Sequence, residues 1–261
     1  MSYFRLVRVF FRVNIVGEVA YRINFFVNIF QSLLALGTAL AGMAIIFSFT
    51  DSLGGWRPAE ILALVGVYVL IGGVIRFAIQ PGMAQLIESV RDGTFDFTLT
   101  KPEDAQLITS ISRFGIWEII NILLGFALLI IALVRLGASI GGLQAVEFLA
   151  MLLTGAVIIY SFFLILATLA FWLVRVENIL TVFQSMYEAG RWPVTLYPAW
   201  LRYGLTFIIP VAFATTVPVE ALTNRLNWVT LLVAFILAVV LFVASRVFWK
   251  MGLKHYSGTS A

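Results

Sequence analysis

Apolar runs near or above 20 residues follow one another along this chain with little sequence between them. A run of that length is enough helix to cross a hydrocarbon core about 30 Å thick. Four internal runs and a final one stand out: Asn24–Phe49, Ile61–Ile79, Ile108–Val134, Leu143–Phe171 and Trp228–Trp249. A further crossing falls between Arg175 and Asn227, where an apolar stretch is broken by Pro193, Pro198, Pro210 and Pro218. Only 11% of the 261 residues are charged, against roughly 25% in soluble domains. The expected fold is all-α: a single transmembrane domain over residues 1–261 with six membrane helices and no room for a soluble domain of ordinary size.

The first 22 residues read differently. Arg5, Arg8 and Arg12 recur at helical spacing, with Phe4, Leu6, Val7, Phe10 and Phe11 over much of the remaining surface. This predicts an amphipathic helix lying in the membrane interface with its arginines towards lipid phosphates. The arginines also leave no uninterrupted apolar core for a cleavable signal peptide. The net charge of +4 is read as Lys and Arg retained on the cytoplasmic side, with membrane lipids as partners and no nucleic acid.

Two courses are open between Arg175 and Asn227. In one, Val176–Ala189 is a short fifth span and Arg191–Asn227 folds back from the outer face as a re-entrant element. In the other, Val176–Trp200 stays near the inner surface and Leu201–Leu222 crosses. Both place the two termini in the cytoplasm with most Lys and Arg inside. Charge mildly prefers the second. The prolines prefer the first, since broken helices at membrane depth are tolerated where protein or a wet cavity covers them.

Polar residues are sparse enough to be read one by one. Of 17 Lys/Arg and 13 Asp/Glu, seven fall in the stretch ESVRDGTFDFTLTKPED: Glu88, Arg91, Asp92, Asp96, Lys101, Glu103 and Asp104. Arg91-Asp92-Gly93 predicts a turn in which Gly93 takes a positive φ. Phe95, Phe97 and Leu99 then alternate with Thr94, Asp96 and Thr98 as far as Lys101-Pro102, and Pro102 to Asp104 is placed to start the third span. A solvated loop has no use for phenylalanines, so Phe95 and Phe97 are expected to anchor in a partner's groove with the charges as its rim. Their other possible place is the lipid interface.

Within the spans, Asn24, Asn28, Gln31 and Thr38 share one side of the first helix. Such a stripe must face other helices or a wet pathway, because unpaired amides in lipid are costly. Glu118 and Asn121 lie one turn apart in the third run. Glu118 marks either a functional site or a buried pair with an arginine such as Arg76 or Arg175. Glu177, Asn178, Gln184 and Glu188 add polar atoms to the disputed fifth segment.

The sequence has no GxxxxGK[ST] phosphate loop, no cysteine, and one histidine, His255, in the C-terminal tail. No metal or cofactor site is expected, and no catalytic constellation.

VRDGTFDFTLTKPEDAQ resembles the segment after the second span in ABC-type-2 permeases, in particular a bacterial six-helix subfamily. The family pattern there falls on Val90, Arg91, Gly93, Phe95, Asp96, Leu99, Lys101 and Pro102, with Phe95 in place of the usual leucine and Lys101 in place of the usual arginine. A second similarity covers Trp192-Pro193, Tyr197-Pro198, Ile209-Pro210 and Pro218. A third runs from Phe248-Trp249 through Gly252-Leu253 to Tyr256-Ser257-Gly258. The resemblance implies a multi-pass permease subunit of an exporter in the bacterial plasma membrane, paired with a second permease subunit, identical or related, and with two separate ABC ATPase subunits. Glu88–Asp104 would be the coupling loop, and the proline-rich segment would form outer re-entrant helices, which favours the first course.

On this reading Arg91 and Asp96 contact the ATPase, Phe95 and Phe97 fill its groove, and Gly93 sets the turn that Asp92 precedes and Lys101-Pro102 ends. Asn24, Asn28, Gln31, Glu118, Asn121 and Glu188 are the expected pathway-lining residues. The rival readings are a proton-coupled secondary transporter with Glu118 as carrier, an intramembrane enzyme, and a structural scaffold. The first lacks detectable inverted repeats, the second lacks histidines, and the third leaves the charged loop without a purpose.

Overall fold

The computed structural model describes residues 3–19, 22–137, 141–173 and 178–256. Among them the regular structure is helical throughout, apart from one isolated antiparallel bridge, Leu53 with Trp56. The elements are α1 (Tyr3–Val19), α2 (Arg22–Phe49), α3 (Pro58–Val74), α4 (Gln80–Arg91), α5 (Asp96–Leu99), α6 (Ala105–Ile111), α7 (Ile119–Arg135), α8 (Gly142–Thr168), α9 (Ile179–Tyr187), α10 (Ala199–Tyr203), α11 (Val211–Ala214), α12 (Thr216–Leu222) and α13 (Trp228–His255). Among the described residues five helices are long and apolar enough to cross a membrane: Phe25–Phe49, Pro58–Arg91, Ile116–Arg135, Gly142–Phe171 and Trp228–His255.

The second of these joins α3 to α4 through a wide π turn, Ile75–Ile79. Pro81 accounts for the irregularity. Having no N–H, it leaves the carbonyl of Phe77, four residues back, without its helical donor. That carbonyl instead accepts from the Gly115 amide at 2.9 Å. Gly115 reaches it because the third run, expected as one helix from Ile108, is broken between α6 and α7. A Cβ at Gly115 would lie 2.5 Å from the Arg76 carbonyl oxygen. The backbone groups exposed by this break find an unexpected partner in α1. The Asn14 amide donates to the Ser112 carbonyl at 3.2 Å, and its oxygen accepts from the Phe114 N–H at 3.3 Å. Phe11 sits beside it, edge-on to Phe77 and Phe114. The N-terminal helix is thereby pinned to the break in the third run.

Antiparallel α3 and α7 meet backbone to backbone at Gly66, Gly73 and Gly125, where added Cβ atoms would come within 3 Å of the facing helix. On the other side α8 packs against α13, α11 and α12. Helix α2 stands apart, most of its side chains exposed, with Phe25 against Trp117 in the 3₁₀ turn that leads into α7.

From α9 the chain climbs alongside α3. Gln184 bonds Gln80 at 2.6 Å, the Tyr187 hydroxyl donates to the Tyr68 carbonyl at 2.9 Å, Arg191 lies over the Tyr68 ring, and Thr195 accepts from the Trp56 indole at 3.0 Å. It then turns back. At Phe213 and Ala214 it presses on Gly155, close to the middle of α8, and it returns to the Trp56 end, where the Gln144 amide donates to Asn224. Between α8 and α13 the chain thus rises once and folds in and out. Of the six crossings expected, five are spanning-length helices among the described residues; the stretch of the remaining one is divided by Pro193, Pro198 and Pro210 into short pieces, with α9 (Ile179–Tyr187) lying within the short span expected at Val176–Ala189.

Candidate functional site

The polar stretch Glu88–Asp104 is neither extended nor loose. Helix α4 ends in a Schellman motif: the Thr94 N–H donates to Ser89 O at 2.9 Å and the Gly93 N–H to Val90 O at 3.2 Å, with Gly93 at φ 70°. One residue later the chain forms a helical turn, the Thr98 and Leu99 amides both donating to Phe95 O. This corrects the alternating reading and changes what the two phenylalanines do. Phe95 is 1% exposed, edge-on to Phe171, Trp249 and Tyr256 with ring centroids 5.5 to 6.2 Å away. It fills this chain's own aromatic cage, so it is not an anchor for a partner's groove. Phe97, two residues on, is 73% exposed.

The neighbouring polar groups are largely engaged within the chain. Arg91 donates to Asp92 at 2.9 Å, and Lys101 sits 5.8 Å from the Phe10 ring of α1. Asp96 opens the helical turn half-buried, and Pro102 is exposed. Asp104 caps α6, accepting from the Gln106 and Leu107 amides, and not the third span as expected. It also pairs with Arg246 of α13, and that guanidinium holds the Asp104 carboxyl below the usual carboxylate range. Tyr160 completes the cluster through Ser110 and Gln106. An arginine near the end of the last apolar run was the only sign of this in the sequence.

A second site lies between α2, α3, α7 and the turn Glu188–Arg191. A cavity of about 230 Å³ is lined by Ser32, Ala35, Leu36 and Ala39 of α2, by Val65, Tyr68, Val69 and Arg76, and by Asn121, Glu188 and Arg191. A neighbouring one of about 180 Å³ shares Tyr68, Arg76 and Glu188 and extends to Gln80 and Gln184. Glu118 accepts on one carboxylate oxygen from Arg76 at 2.9 Å and from Asn121 at 2.7 Å. Because the long helix of the third run starts only at Ile116, Glu118 sits at its beginning and not deep within it.

Of the expected lining residues, Asn121 and Glu188 face the cavity, with Glu118 behind them. Asn28 is half-buried and Gln31 is exposed, outside the lining. The side chain of Asn24 lies outside the described residues, as does Glu177. The first helix lines the cavity with Ser32, Ala35, Leu36 and Ala39 instead, and of these only Ala35 falls on its amide stripe. Arg191 and Tyr68 were not singled out by the sequence, and neither has a motif to mark it.

At the opposite end from Phe95, Arg225 lies 4.8 Å over the Trp56 ring, and one of its amino groups donates to the Gly55 carbonyl and to both oxygens of buried Glu60. Burial pushes nearby Glu220 up to about 7, against the pull of Arg225. These contacts tie the in-and-out segment to the α2–α3 turn. Arg225→Ala leaves Glu60 buried without its partner and is expected to lower stability by about 2 kcal/mol, discounted for the part-exposed arginine. Arg225→Lys should recover only part, since an ammonium keeps the charge but loses the planar guanidinium's stacking over the Trp56 ring. Thermal melting of the purified chain measures both, and equal melting of all three would show the pair to be idle.

A polytopic helical membrane protein with a rigid charged turn at one end and a polar cleft between its helices is the class this architecture defines. The family model described as ABC-2 family transporter protein matches residues 33–260, and the chain belongs to that family. It is accordingly a multi-pass membrane protein, an ABC transporter permease. No curated protein and no solved structure matches it.

Proposed function

We propose that the chain forms the translocation pathway of an ATP-driven exporter as one of two permease subunits, with ATP hydrolysed by separate subunits docked at the Glu88–Asp104 end. One observation carries the reading. Phe97 is held out, 73% exposed, on a helical turn whose opposite side is locked by Phe95 in its cage. A large apolar side chain held exposed on a fixed turn, with Asp96 beside it in the chain and Arg91 and Asp92 in the preceding cap, suits the centre of a docking surface. Behind it the helix Pro58–Arg91 runs unbroken to the far end, so a push on the turn is delivered along one rod to the cleft.

In this arrangement the docking end faces the cytoplasm and both termini with it, since Asn14 and Tyr256 lie at that end. The segment after Thr195 dips from the outer face as a re-entrant element. The arginines of α1 lie towards lipid phosphates. The proton-driven alternative needs Glu118 free to exchange protons with the pathway. Its pairing with Arg76 and Asn121 gives that reading no support.

The test is affinity purification of the tagged full chain expressed with its cognate ABC ATPase. The expected result is that a P-loop ATPase co-purifies and that Phe97→Asp lowers its recovery at least tenfold, about the effect of removing a central interface anchor. Phe97→Leu should keep most of it. Undiminished recovery with Phe97→Asp would move the docking surface elsewhere. Transport in proteoliposomes driven by a proton gradient with no ATPase present would replace the reading outright.

A further inference from the structure

We propose that the cleft between α2, α3 and Glu188–Arg191 binds a compact zwitterionic group, phosphate or carboxylate on Arg191 and ammonium on Glu188, and that this group belongs to the transported molecule. The proposal rests on the permease reading for the word transported, but not for the binding.

Four charged side chains meet here, and they divide into two unlike pairs. Arg76 and Glu118 satisfy each other directly, with Asn121 as a further donor. Arg191 and Glu188 make no ion pair or side-chain hydrogen bond among the described residues; the contact of Arg191 is with the Tyr68 ring, 5.5 Å away. Both belong to the 3₁₀ turn Glu188–Arg191. Residues three apart in such a turn eclipse one another, and both line the same cavity. The turn therefore presents one cation and one anion, side by side and unspent, to a shared space.

Depth makes this arrangement unusual. Tyr68 lies ten residues into the helix that starts at Pro58, about 15 Å along it, near the middle of a hydrocarbon core about 30 Å thick. An arginine over that ring is far from either aqueous surface, where uncompensated charge is costly and marks function. A purely anionic ligand would meet Glu188, and a purely cationic one Arg191. A zwitterion offers each its complement and leaves the cleft neutral.

Size limits the group further. A volume of about 230 Å³ holds the bulk of roughly eight waters at about 30 Å³ each, which suits a head group and not an acyl chain. Along α2 the wall is made of Ser32, Ala35, Leu36 and Ala39, and α2 itself packs lightly on the rest. An apolar tail has its exit there, between α2 and the bundle. A cytoplasmic zwitterion has its approach past Arg76, Gln80 and Gln184 in the adjoining cavity.

Binding to the purified full chain, with no ATPase added, is measured by calorimetry with three probes: glycerophosphoethanolamine, dihexanoyl-phosphatidylethanolamine and dihexanoyl-phosphatidylglycerol. The expected result is about tenfold or stronger preference for the ethanolamine lipid over the glycerol one, the size of one charge-assisted contact. Glu188→Gln should erase that preference. Arg191→Gln should weaken both lipids about tenfold, and Arg191→Lys should retain most binding. Arg202→Gln, whose guanidinium serves the Thr195 and Tyr197 carbonyls outside the cleft, should match the parent and reports on folding.

If the chain-free probe binds as tightly as the lipid, the ligand is a free solute; if only the lipid binds, it is a membrane amphiphile. Equal affinity for the two lipids, or unchanged binding in Arg191→Gln, overturns the proposal. Either failure leaves the docking of an ATPase through Phe97 untouched, and loss of that docking leaves the binding result standing.

Discussion

Gly125→Val is expected to abolish the folded chain in detergent or to lower its stability by at least ~3 kcal/mol, the upper range for overpacking a core that cannot yield. A Cβ at Gly125 would lie 2.3 Å from the Leu70 amide nitrogen and 2.6 Å from its Cα. Those atoms belong to the backbone of α3, so no rotamer change relieves the clash; the helices must part. The same seam is closed at Gly66, whose Cβ would meet Leu129 N at 2.9 Å, and at Gly73, facing Ile122 N at 2.8 Å. Between membrane helices the hydrophobic effect gives little drive, since lipid is as apolar as leucine. Close backbone approach through small residues is what holds the pair. Parting α3 from α7 also displaces Asn121 and Glu118 from Arg76, so the polar cleft goes with the seam. Gly142→Ala, at a glycine with nothing within 4 Å, is the control and should change stability by less than ~0.5 kcal/mol. Size-exclusion profiles and melting curves give both readings. A monodisperse Gly125→Val chain melting with the parent would mean the two helices do not approach as closely as described.

The long apolar runs were legible because a membrane helix is specified by its own composition: α2, α3 with its π turn, α8 and α13 fall where the hydropathy puts them, although the second helix runs on through α4 beyond its apolar run. Limits appeared wherever a contact distant in sequence decided the local structure. Nothing near Ile108 announces that the third run breaks at residues 112–115. The cause is Pro81, which frees the Phe77 carbonyl for Gly115, together with Asn14, which satisfies Ser112 and Phe114 from about a hundred residues away. Phe95 and Phe97 are equally apolar, and only the cage of Phe171, Trp249 and Tyr256 separates the one that holds from the one that reaches. The amide stripe of the first helix was a sound sign that one face of α2 matters. It met the cleft only at Ala35 and otherwise pointed one position wide of the lining residues Ser32, Leu36 and Ala39, of which the apolar two carry no polarity to mark them. Glu188 was legible as a polar residue of the fifth segment, but its neighbour in the cleft, Arg191, was hidden in the same way. Their shared place at the cavity depends on a 3₁₀ turn that breaks the α-helical period, and period is what a sequence displays.

Gly93→Val is expected to separate hydrolysis from transport while leaving the membrane bundle folded. Gly93 sits at φ 70° in the cap of α4. There it lets the Thr94 N–H turn back to Ser89 O and starts the turn that carries Phe97. A β-branched residue in that region costs on the order of 1–3 kcal/mol. The cap can relax instead, because Phe95 holds the far side of the turn in its cage and the strain falls on the few residues between. Phe97 then no longer stands in fixed register with the end of the Pro58–Arg91 rod. Under the docking proposal the ATPase still hydrolyses ATP, but its closure moves a slack turn and not the helix, so transport should fall at least tenfold with basal hydrolysis retained. Gly93→Asn separates the two ways a side chain might act here. Asparagine tolerates the left-handed region, so it should restore most transport although it adds as many heavy atoms as valine does, and one more. Transport and hydrolysis are measured together in proteoliposomes containing the assembled complex. Should asparagine and valine fail alike, side-chain bulk at this surface and not the backbone angle would be the cause. Should both transport as the parent does, the turn carries no force, and the push must reach the helices by another route.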